Sequence, residues 1–158
     1  MVPITPIFAR NKELLILLSE LLDNEREALA QLNAQSIVDL ANDKKTILEE
    51  LDELNTTRHS LLLKFGVIDK QKTEEGQFKH WLDQQTLYDE LKQLVIECEH
   101  LLETCKIKNT ANEHILTVAQ QRNKSLLEIL QGIDKNSRVY TAKGNTRPVS
   151  SKHTIGRA

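Results

Sequence analysis

The chain has 158 residues, 28% of them charged and 4% aromatic, with five glycines, three prolines and a formal net charge of −2. That composition excludes a sheet protein, which needs β-branched and aromatic strands and frequent turn residues, and the length suits one helical domain. The charge is uneven: residues 133–158 carry six basic residues and one acid, net +5, leaving 15 basic and 22 acidic residues, net −7, in 1–132. An acidic helical domain over 1–132 and a basic tail over 133–158 are therefore expected.

Pro3 and Pro6 mark an extended start, and a first helix is predicted from about Ile7 to Asn33. Its stripe of Leu14, Leu18, Leu21, Glu25, Ala28 and Leu32 alternates spacings of four and three, as a heptad seam requires. Leu14 to Leu18 is apolar on every side, so this end is wedged among several helices or covered by another protein. Ser36 and Asp39 read as the cap of a second helix, Ile37 to Phe65. Its rows are Ile37, Ala41, Lys44, Leu48, Leu51, Asn55, Arg58, Leu62, Phe65 and, seven apart, Leu40, Ile47, Leu54, Leu61. Gly66 is the expected stop, since glycine takes the left-handed conformation at least cost.

Between Val67 and Gln85 the pattern weakens, and Phe78, Trp81 and Leu82 suggest one short helical turn capping the bundle end. A third long helix is predicted from Thr86 to Gly132. Its seam runs Tyr88, Leu91, Val95, Cys98, Leu102, Cys105, Asn109, Asn112, Leu116, Ala119, Asn123, Leu126 and Leu130. At 1.5 Å per residue it is about 69 Å long and overhangs the other two, at about 40 and 45 Å. The expected fold is an all-α, elongated antiparallel bundle of three long helices, with a short connecting helix and a flexible C-terminal tail.

Chemical motifs are scarce. Cys98 and Cys105 lie two turns apart on one helix, about 10.5 Å, too far for a disulfide. They read as buried thiols of a reducing compartment, in a soluble, cytoplasmic protein. The N-terminal MVPITPIFAR has no basic stretch followed by an apolar core, and LLILLSELL is too short to span a bilayer. Glu97-x-x-His100 matches half of a di-iron bundle site but has no second Glu-x-x-His. Cys98, His100, Cys105 and His114 fit no compact zinc spacing. Glycine-rich phosphate loops and nucleophile motifs are absent, and the pairs Glu49/Glu50 and Glu74/Glu75 read as solvated surface. We therefore expect neither enzymatic activity nor metal nor cofactor. Nucleic-acid binding is not expected either, because the body is acidic and only Tyr140 of the tail could stack on a base.

Asn109 and Asn112 stand out on the seam. A seam amide lowers stability but fixes register, because a slipped pairing leaves it unsatisfied. It serves either a particular partner helix or the bundle's own register.

Three stretches carry a family resemblance: KTILEELDELNTTRHSLLLKFG, NTANEHILTVAQQRNKSLLEILQG and the tail's VYTAKGNTR. The order of Arg58-x-x-Leu61-Leu62, Gly66, Asn109-x-x-Asn112, Arg122, Leu126-x-x-Ile129-Leu130 and Tyr140-x-x-x-Gly144 resembles the FlgN family of flagellar export chaperones over nearly the whole chain. Glu113 stands where the family often has glycine, and Lys143 where an acid often precedes the tail glycine. The resemblance implies a cytoplasmic chaperone, transiently at the inner-membrane export apparatus. It would bind the C-terminal helical segments of hook-associated proteins and deliver them to the export gate and ATPase components of the flagellar type III machinery. The client groove is expected on the overhang, at Ile115, Leu116, Ala119, Leu126, Leu127 and Leu130. Asn109 and Asn112 would set register and specificity, and the resemblance implies export-gate docking by Tyr140. The alternatives are a coiled-coil scaffold whose overhang serves homodimerisation, and a metal-binding bundle enzyme.

Overall fold

Helix α1, Thr5–Ala30, is central because it is apolar on two faces. Leu14, Leu18, Leu21 and Ala28 are buried on its heptad seam, and Phe8, Leu15, Leu22 and Leu29 on a second row. Leu14, Leu15 and Leu18 are buried on one face of the apolar run, while Ile16 and Leu17 on the other face remain 39% and 48% exposed, so the bundle covers the run on one side and not all round. The computed structural model describes residues 3–69, 74–85, 88–131, 138–140 and 146–148, the last two segments by backbone. The side chains of Glu74, Glu75 and Tyr140 lie outside the described residues, as does the rest of the tail. The chain divides into two compact units, residues 1–113 and 114–158.

In the first unit α1 is followed by α2, Ala34–Lys64, and α3, Glu74–Asp83, and by α4, Asp89–Leu130, as far as Glu113. Side-chain pairs fix the directions. Arg10 meets Glu50 and Glu25 meets Lys44, so α1 and α2 are antiparallel. Phe8 meets Cys98, Leu15 meets Cys105 and Leu22 meets Asn112, so α1 and α4 are parallel with a constant offset of 90 residues. The unit is all-α, an up-down-up arrangement of three long helices. α2 is less buried than its apolar rows suggest. Among its residues Leu62 alone is fully buried, whereas Leu48 and Phe65 are 47% and 45% exposed.

α3 closes one end of the unit and is a ten-residue helix rather than a single turn. Phe78 stacks on Phe8 at 5.6 Å and on Trp81 at 6.0 Å, and Trp81 stands 5.9 Å from Tyr88. The Arg58 guanidinium lies 5.8 Å from the centre of the Phe8 ring. Each such ring pair adds about 1 kcal/mol to simple area burial. Phe78 and Leu82 join Ile4, Leu62 and Leu91, so the start of α1, the end of α2 and the start of α4 share one core with α3.

The C-terminal ends of α1 and α2 use the same device with different residues. After α2, Gly66 is left-handed (φ 68°), and Val67 donates to the Leu62 carbonyl at 2.9 Å. After α1 the left-handed residue is Leu32 (φ 55°), and Asn33 donates to the Ala28 carbonyl at 3.0 Å. A β-carbon costs about 1 kcal/mol in this conformation, and Leu32 is 74% exposed, so little burial offsets it. Leu32→Gly is therefore expected to raise stability by about 1 kcal/mol. The thermal midpoint would rise by about 3 °C; an unchanged or lower midpoint would show that Leu32 is not strained.

The turn also corrects the expected cap of α2. Asn33, not Ser36, caps the helix: its Oδ1 accepts from the Ser36 backbone N–H at 3.1 Å. The tight turn at Leu32 leaves Asn33 extended at the first amides and starts the helix three residues earlier, while Asp39 accepts from the Gln35 side chain instead.

The second unit holds the end of α4 and, in the tail read as aperiodic, a short antiparallel pair. β1, Arg138–Tyr140, pairs with β2, Thr146–Pro148, with Val139 opposite Arg147. Val139, Tyr140 and Thr146 are strand-favouring residue types.

Candidate functional site

A polar layer, buried at Glu25 and Asn112 and half-buried at Lys44 and Asn109, ties the three long helices together. Lys44 Nζ on α2 donates to Glu25 Oε1 on α1 at 2.8 Å and to Asn109 Oδ1 on α4 at 3.1 Å. Asn112 Nδ2 donates to Glu25 Oε2 and to the Leu22 carbonyl, both at 2.8 Å. Asn109 Nδ2 donates to Glu113 Oε1 at 2.8 Å. The Glu25 carboxylate thus has a donor on each oxygen, one charged and one neutral. The Asn112 Oδ1 atom is buried without a partner, which is the cost of the arrangement.

Asn112 is also the third rung of a ladder. Cys98 Sγ donates to the Phe8 carbonyl and Cys105 Sγ to the Leu15 carbonyl, each at 3.4 Å. Cys98, Cys105 and Asn112 are seven apart, as are Phe8, Leu15 and Leu22. Small side chains here let the two backbones approach. Burial pushes the Cys98 thiol up to about 11 and the Cys105 thiol upward too, so both are neutral at pH 7 and unsuited to thiolate chemistry. A thiol rung fits either carbonyl, whereas the Asn112 rung also needs Glu25. A one-heptad slip therefore breaks this layer.

The other flank of α1 meets α4 through ions. Lys12 pairs with Glu97 at 2.7 Å, and Lys108 Nζ reaches the Ser19 hydroxyl and Asp23. Donation from Lys12, and then from Gln93, holds the Glu97 carboxyl below its usual range, and the bond to Glu97 raises Lys12. Because the folded value of Glu97 is depressed, its contribution is present above about pH 4 and is lost as acid protonates it. Glu97 is thus committed to Lys12. Among the described residues no group of three or more His, Cys, Asp or Glu is placed to hold a metal, and no helix is long and apolar enough to cross a membrane.

The second unit carries the other candidate residues. Ile115 and Ala119 are half-buried, whereas Leu116, Leu126, Leu127 and Leu130 are exposed, Leu130 at 81%. At 100° per residue these six fall within an arc of about 120° on the helix. Asn123 lies inside the same arc and is exposed. The heptad row of Cys98, Cys105 and Asn112 continues in sequence through Ala119 and Leu126. Here the row opens, half-buried at Ala119 and exposed at Leu126, and four large apolar side chains lie open to water.

The sequence singled out Asn109, Asn112 and the leucines, and the structure brings the two asparagines into one layer. It did not assign roles to Glu25 and Lys44. Their signal was legible: opposite charges occupying seam positions on adjacent helices.

The model of one protein family, described as FlgN protein, matches residues 4–148. Neither the curated proteins nor the solved structures contain a match to the chain.

Proposed function

The chain belongs to the FlgN family of flagellar export chaperones, and on that premise we propose that it binds the C-terminal segments of hook-associated proteins and delivers them to the export gate. The observation that carries the site is the solvated apolar arc at the end of α4, with Leu126, Leu127 and Leu130 between 56% and 81% exposed. A disordered client segment that folds as an amphipathic helix against this arc covers those side chains. The gain is about 25 cal/mol per Å2 of apolar area, less the ordering cost of the segment. Work of this kind requires recognition and release, with no bond made or broken, and the chain acts as a chaperone rather than an enzyme. It operates in the cytoplasm and visits the inner-membrane export apparatus when it hands over its client.

Asn109 and Asn112 serve specificity indirectly. Their hydrogen bonds run within the first unit, so they hold the register of the chain's own helices. Tyr140 contacts the export gate, through a large side chain with few rotors to immobilise. Tyr140→Ala is expected to leave client affinity within about twofold while secretion of the client falls several-fold. Equal secretion by variant and wild type would remove Tyr140 from the pathway.

The direct test mixes the full chain with hook-associated proteins, with and without their C-terminal segments, and reads complex mass by light scattering. A 1:1 complex requiring that segment supports the reading. A complex of equal strength with the truncated proteins contradicts it. If the chain instead served as a scaffold through its own overhang, no client complex would form.

A further inference from the structure

The apolar face at the end of α4 holds one charge, Arg122. At 100° per residue Val118, Ile129, Arg122, Ile115 and Leu126 fall in that order within a strip about 80° wide, and Ile115 and Leu126 also belong to the leucine arc. Arg122 stands at the centre of the strip. Val118 and Leu126 lie four positions away on either side, and Ile115 and Ile129 seven. Val118, Arg122, Leu126 and Ile129 line one shallow hollow of the surface. Arg122 is exposed, and among the described residues no hydrogen bond or ion pair reaches its guanidinium. The helix itself offers none, since the positions three and four away hold Val118, Ala119, Ser125 and Leu126. In the first unit, by contrast, Arg10, Lys12, Lys44 and Lys108 each meet a carboxylate. Lys124 and Glu128 lie on the opposite side of the helix from the strip.

This position constrains what can lie on the face. An occupant that covers Leu126 and Ile129 also covers Arg122, which shares their strip. A guanidinium enclosed by apolar side chains loses its water, and only a counter-charge with matching hydrogen bonds offsets that loss. The fork of an arginine fits a carboxylate through two parallel N–H donors. Apolar residues continue on both sides of Arg122, so the occupant runs past it in both directions. The carboxylate it brings therefore belongs to a side chain within the segment and not to its chain end.

We propose that the client segment is a helix whose apolar stripe is interrupted by one Asp or Glu, and that this carboxylate pairs with Arg122. The proposal rests on the client reading above and gives it a source of selectivity. A leucine-rich helix without the acid leaves Arg122 enclosed and unpaired, so it binds less well than its apolar area alone would allow.

The test titrates the full chain with the C-terminal segment of a hook-associated protein. The segment is made as the native peptide, with each Asp or Glu replaced in turn by its amide, and with its chain end amidated. Arg122→Met removes the charge, keeps an unbranched apolar stem, and sits at an exposed position that the fold tolerates. If leucines alone were recognised, this variant would bind as tightly as the wild type or more tightly. The proposal expects binding about tenfold weaker. One side-chain amide should weaken wild-type binding by a similar factor and cost nothing further in Arg122→Met, as a direct pair requires. Amidation of the chain end should change nothing. Arg122→Met binding at wild-type strength or above overturns the proposal and leaves the client reading standing. A loss that no side-chain amide reproduces, or that only the amidated chain end reproduces, overturns it as well. A wild-type chain that binds no such segment sinks the client reading, and this proposal with it.

Discussion

Replacing Lys44 by methionine is expected to destabilise the folded chain by about 3 kcal/mol. Methionine keeps most of the apolar stem and removes the ammonium. Glu25, whose side chain is 11% exposed, then retains one neutral donor, Asn112, and Asn109 loses the group its Oδ1 accepts from. A buried carboxylate without its counter-charge loses far more than the ion pair contributes on balance. For a chain of this length the thermal midpoint should fall by about 9 °C. The double variant Lys44→Met with Glu25→Met should recover most of that loss, because an apolar pair leaves no uncompensated charge. Denaturant unfolding of both variants checks this. A loss below about 1 kcal/mol in the single variant would mean that water or another cation serves Glu25.

The second large effect concerns recognition. Leu126→Asp and Leu130→Asp are each expected to weaken the client complex by about 30-fold, or about 2 kcal/mol, through lost apolar burial and a carboxylate facing an apolar partner. Both side chains are exposed, at 58% and 81%, so the fold should tolerate the change within about 0.5 kcal/mol. Loss of binding with unchanged unfolding would separate recognition from stability. Folded variants that bind like wild type would move the client elsewhere.

Helix type and number were legible because leucine rows at spacings of three and four persist over tens of residues, and no tertiary contact needs to override them. The stop at Gly66 was legible for a local reason, since glycine is the residue type suited to φ 68°. Leu32 takes the same conformation against its preference, so its turn was invisible, and with it the cap at Asn33. The heptad pattern on α2 promised more burial than exists, since periodicity reports which residues share a face and not whether another helix covers it. Leu48 and Leu102 sit on such faces and remain nearly half exposed. The asparagines were recognisable as misfits on the seam. Their partners were not, because pairing Lys44 with Asn109 spans 65 positions of sequence and follows only once three helices are in register. On α4 one heptad row is buried at Cys98, Cys105 and Asn112 and solvated at Leu126, a difference no repeat can encode.

That contrast is also the physical basis of the chaperone account. Rigid register in the first unit is secured by carbonyl-directed rungs and one charged layer, while the last turns of α4 carry Leu126, Leu127, Ile129 and Leu130, each more than half exposed. The central claim is that a C-terminal segment of a hook-associated protein folds onto that surface. Titration calorimetry of the full chain against such a segment, repeated at several temperatures, tests it most directly. The account predicts saturable 1:1 binding with a negative heat-capacity change, lost together with binding in Leu126→Asp. Absence of heat with folded, soluble components, or binding with no heat-capacity change, would contradict it.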